Sequence, residues 1–104
     1  MEERKPVEGG TLLTISAEIF SRDPEGFEIH ITNDERGETK IVEGVRDYAE
    51  YLIESVNESE RDNFVANWLP SPHARKVDID LIGMQLGMMQ EWMDNELGES
   101  HGVI

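Results

Sequence analysis

The hydrophobic period of this chain switches at Gly44, and the switch points to a sheet followed by helices. In TLLTISAEIF, residues 11–20, Leu13, Ile15, Ala17 and Ile19 alternate with Thr14, Ser16 and Glu18, the pattern of a strand wet on one side. Phe27, Ile29 and Ile31 repeat it over 26–32, and a shorter third strand fits 39–43. SRDPEG and NDERGE supply the turn chemistry between them. Links this short join antiparallel neighbours, because a parallel return needs about a dozen residues or more. A three-stranded antiparallel meander is therefore expected.

Beyond Gly44, Val45, Tyr48, Ala49, Leu52, Ile53 and Val56 recur at helical spacing, which predicts a helix over 45–57. Ser59 reads as the cap of a second helix over 59–69, with Phe64, Val65, Trp68 and Leu69 as its apolar side and Pro70 as its stop. Val77, Ile79 and Leu81 alternate as a fourth strand would, but the pattern from Leu81 onward is helical, so a third helix is placed over 80–97 with Asp78 or Asp80 as its cap. The whole is one α+β domain over 11–97, between a flexible lead-in (1–10) and a flexible tail (98–104).

The third helix carries the most distinctive stretch. Leu81, Met84, Met88 and Trp92 form one stripe, and Ile82, Leu86, Met89, Met93 and Leu97 a second beside it. Together they exceed the apolar arc, roughly 100° or slightly more, that packing against one layer requires. Gly83 and Gly87 remove bulk from one side and permit close approach of another backbone. Methionine suits surfaces that repack. Gly83, Met84, Gly87, Met88 and Trp92 are thus the candidate partner interface, and a two-fold homodimer is the simplest way to cover it. The competing expectation is a central core helix buried on all sides within one chain.

Charge sets the character of the remaining surface. Twenty-three Asp and Glu against nine Lys and Arg leave a formal net charge of −14, spread as −6 over residues 1–43, −4 over 44–70 and −4 over 71–104. Such a field repels nucleic acid and anionic membranes and attracts basic protein surfaces. No direct nucleic-acid or membrane binding is expected. Asp47, Glu50 and Glu54 share one helical face at spacings of three and four and form the candidate acidic face; a solvated helix back is the plain alternative.

Chemistry-bearing motifs are sparse. The chain has no cysteine, which removes disulfides, thiolate metal sites and thiol nucleophiles, and it has neither a signal-like apolar run nor a membrane-length apolar stretch. A cytoplasmic location fits. His30, beside Glu28, is the one candidate general base, without an accompanying nucleophile or phosphate loop; His73 follows two prolines and precedes the basic pair Arg75-Lys76. Three scattered histidines, and Asp78 and Asp80 without calcium-loop spacing, predict no metal and no cofactor. The functional expectation is a non-enzymatic, regulatory interaction module that binds a basic partner. Its alternatives are a phage- or mobile-element-encoded inhibitor that mimics nucleic acid and, last, a small enzyme using His30.

Overall fold

The computed structural model describes residues 10–97, so the expected lead-in (apart from Gly10) and tail lie outside the described residues. β1 (Leu12–Ser21), β2 (Phe27–Asn33) and β3 (Glu38–Val42) are followed by α1 (Val45–Glu58), β4 (Asn63–Trp68) and α2 (Lys76–Leu97). The sheet order is β3-β2-β1-β4.

The first three strands pair antiparallel, with Ala17 opposite Ile31 and Ile29 opposite Val42. Local turns hold the register. Asn33, buried on the helix side, accepts the N–H groups of Glu35 and Arg36 on its Oδ1, and Gly37 takes a positive φ of 65° that a side chain would disfavour.

The antiparallel meander followed by three helices is not the fold: the described residues form a four-stranded sheet of mixed direction and two helices. Residues 63–68, expected within a helix, form β4, which runs parallel to β1 with Leu13 opposite Phe64 and Ala17 opposite Trp68. Phe64, Val65, Trp68 and Leu69 fit a helical stripe, yet Phe64, Ala66 and Trp68 equally alternate, and a short apolar run satisfies both periods. Tertiary pairing breaks the tie. Leu13, Ile15 and Ala17 are each 1% exposed, which makes β1 a central strand with neighbours on both edges. The connection is α1 itself: its 14 residues span ~21 Å, enough to carry the chain from the end of β3 back to the start of β4. Ser59, expected to open a helix, ends one, its N–H donating to the Val56 carbonyl and its Oγ accepting the Arg61 N–H.

The last helix begins at Lys76, four residues ahead of the expected Asp80, and takes in Val77, Ile79 and Leu81. Asp78 therefore sits in its first turn, where a carboxylate complements the helix dipole.

The core lies between one sheet face and the helices. Leu13, Ile15, Ile19, Ile29 and Ile31 meet Val45, Tyr48, Ala49, Leu52 and Val56 of α1, while Ile82 and Met93 enter from α2. Complete burial of such an aliphatic side chain contributes about 1.5–3 kcal/mol. α2 packs chiefly on α1.

Candidate interaction surfaces

α2 presents different chemistry around its circumference. Ile82 is 1% and Met93 8% exposed, and Leu86 and Met89 pack against the core beside them. On the far side Val77, Leu81, Met84 and Met88 are 67, 36, 58 and 78% exposed. Spacings of four, three and four put these residues on one straight line along the helix.

Of the expected interface residues, Met84 and Met88 thus lie together on the outer face. Gly83 and Gly87 flank it by about a quarter-turn, and a Cβ at either would meet open space within this subunit. Trp92 lies on the opposite flank, half-buried, with the Arg46 guanidinium 5.4 Å from its ring centroid. Val77 belongs to this face too, ahead of the helix start that the sequence pattern sets at about Asp80.

Two grooves open beside these helices. The first, about 340 Å³, is apolar and runs between the end of β4 and the first half of α2, lined by Ile19, Trp68, Leu69, Ser71, Ile79, Ile82, Gly83 and Leu86. It exists because 63–69 is strand and loop, so sequence reasoning that made it helix had no route to it.

The second, about 400 Å³, runs between β3 and α1 and is lined by Lys40, Ile41, Val42, Glu43, Asp47, Glu50, Tyr51 and Glu54. Here the structure collects the expected acidic face, Asp47, Glu50 and Glu54, and adds Glu43 from the β3–α1 turn. Four carboxylates face one ammonium. Their ion pairs are exposed or long: Glu43 with Arg22, Glu50 with Arg46 at 3.8 Å, and Glu54 with Arg36 at 4.0 Å. Asp47 has no ion pair among the described residues. Tyr51 donates its hydroxyl to Glu38 Oε1 at 2.8 Å; burial, and next that bond to a carboxylate, push its phenol pKa upward.

The sheet face away from the helices carries His30 and, against Phe20, His73. His30 lies opposite Glu18 in the ladder, 3.3 Å from Glu28 Oε1, with its ring centroid 4.2 Å from that of Phe20. Phe20 also stacks on His73 at 5.6 Å. Two imidazoles thus contact one phenyl ring, with one carboxylate beside His30; the described contacts bring no hydroxyl or thiol onto His30. Sequence reasoning misses Phe20 as the ring that contacts both His30 and His73, although the outward register of Phe20 follows from the alternation in β1. Among the described residues no group of three or more His, Asp or Glu side chains is arranged to hold a metal, and no described helix is long and apolar enough to cross a membrane.

The fold and these surfaces define a small α+β domain: a four-stranded mixed sheet with both helices on one face. No protein-family model, curated protein or solved structure matches the chain.

Proposed function

We propose that this chain is a non-enzymatic interaction module that pairs with a second copy through α2 and receives a basic protein surface on the carboxylate side of α1. The observation that carries the reading is the line Val77, Leu81, Met84 and Met88, an apolar helical seam left in water. Its four-three-four spacing is that of a two-helix seam, and antiparallel pairing about a two-fold axis near residues 82–83 places Val77 against Met88 and Leu81 against Met84. That arrangement also brings Lys76 of one copy toward Glu91 of the other. The glycine flank lets the second backbone approach.

Sedimentation velocity from about 1 to 100 µM tests the seam. The expected result is a concentration-dependent dimer that Met88→Glu converts to monomer. A wild-type protein that stays monomeric throughout overturns it.

Charge supports the second half of the reading. The net charge of −14 and the carboxylates around the β3–α1 groove favour a cationic partner. The spacing of Asp47, Glu50 and Glu54 also supports a second reading, an inhibitor that offers carboxylates in place of phosphates to a nucleic-acid-binding enzyme. Competition separates them: short duplex DNA displaces the protein from its basic partner in the second reading only. The absence of cysteine supports a reducing cytoplasmic setting for either.

A further inference from the structure

β3 is an edge strand: among the described residues no strand lies along its outer side. On an antiparallel edge, every second residue turns its N–H and C=O away from the sheet. Beside that edge α1 forms the second wall of the groove of about 400 Å³. An open strand edge facing a helix across a channel is the geometry in which extended peptides add to sheets.

The register defines what such a peptide carries. Lys40 and Val42 pair with Ile31 and Ile29, whose side chains are buried on the helix side, whereas Ile41 pairs with His30 on the open side. In an added strand, alternate side chains therefore point toward α1 and those between them lie beside Ile41, which is 52% exposed. On the α1 side stand Asp47, Glu50 and Glu54. Asp47 to Glu54 covers ~10.5 Å of helix, and alternate strand residues are ~6.6 Å apart, so two or three cationic side chains match the carboxylates.

We propose that the β3–α1 groove takes an extended basic segment of another protein as a fifth strand. Lys or Arg at alternate positions meets Asp47, Glu50 and Glu54, and Val, Ile or Thr between them covers Ile41. The inference rests on the reading that the acidic side of α1 receives a cationic partner, and it specifies the partner's conformation. Among the described residues that line the groove Lys40 is the one cation; on an empty edge it discourages pairing with other strands.

The probe is a capped peptide of roughly nine residues alternating Lys and Val, compared with two forms N-methylated at every Lys or at every Val nitrogen. Binding is followed by amide chemical shifts at about 50 mM salt. Strand addition uses the N–H groups of one peptide edge only, so one methylated form loses at least about tenfold in affinity while the other keeps it. The parent peptide shifts residues 39–43 most, and Glu50→Lys with Glu54→Lys weakens it at least about tenfold. If both methylated forms bind like the parent while the charge reversal still weakens binding, strand addition is wrong and the acidic-surface reading stands. If the parent fails to bind, or ignores the charge reversal, both fall.

Discussion

The buried carboxylate of Asp78 accepts a hydrogen bond from Ser21 Oγ at 2.5 Å, tying the first turn of α2 to the end of β1. Ser21 Oγ in turn accepts the Arg75 N–H at 2.7 Å, and Arg75 reaches both Asp78 Oδ2 and the carbonyls of Pro24 and Gly26. This network sets the direction in which α2 leaves the sheet, and hence which side of the helix faces water. Asp78→Ala leaves the half-buried Ser21 hydroxyl and the Arg75 guanidinium short of an acceptor, a loss of about 1–3 kcal/mol in urea denaturation. Asp80→Ala, which removes only an exposed pair with Lys76, changes stability by less than about 0.5 kcal/mol.

Gly87 sits in a helix interior with open space where its Cβ would be. Gly87→Ala therefore raises the stability of the subunit by up to about 1 kcal/mol. Gly87→Leu keeps the subunit folded but crowds the proposed seam. Thermal melts at low concentration read the first effect, and sedimentation reads weaker pairing in the second.

Salt separates the two proposed contacts by sign. An apolar seam between two copies that each carry −14 tightens as ionic strength rises, because screening relieves their mutual repulsion. The contact of the acidic groove with a basic partner weakens over the same range. Dimer and complex dissociation constants measured from about 50 to 500 mM salt then move in opposite directions.

Tyr48 sets an alkaline limit. Burial pushes its phenol pKa up from 10.0 to about 12. The folded state therefore holds the proton longer than the unfolded state, and its contribution is complete below pH 10. It is lost as pH rises from 10 to about 12, by roughly 2–3 kcal/mol. Tyr51 shifts in the same direction. Tyr48→Phe removes the titrating group while keeping the ring against Trp68, so its alkaline unfolding midpoint, followed by circular dichroism, lies at higher pH than that of wild type.

Period two over β1 to β3 and period 3.6 over α1 were legible because each segment buries one face against one layer. In β4 the legibility ends. Six residues bearing Phe64, Val65 and Trp68 suit either period, and the partner that decides between them, Leu13 to Ala17, lies about 50 positions away. Half of the acidic groove could be read in the same way: Asp47, Glu50 and Glu54 share a face by helical spacing alone, but Lys40, Ile41 and Glu43 join them only when β3 lies alongside α1. The seam on α2 was visible as an excess of apolar residues; which of its two stripes faces the core was not.

Local patterning thus determined where the first three strands and α1 lie, that the surface is acidic, and that α2 carries more apolar side chain than one layer covers. Those properties are sums over near neighbours, set by period and charge. Only the tertiary structure decided that β4 closes the far edge of β1, that Ile82 and Met93 turn inward while Met84 and Met88 turn out, and that the carboxylates of α1 border an open strand edge. Each of these is a choice between arrangements of similar local energy, resolved by burial and pairing between distant parts of the chain.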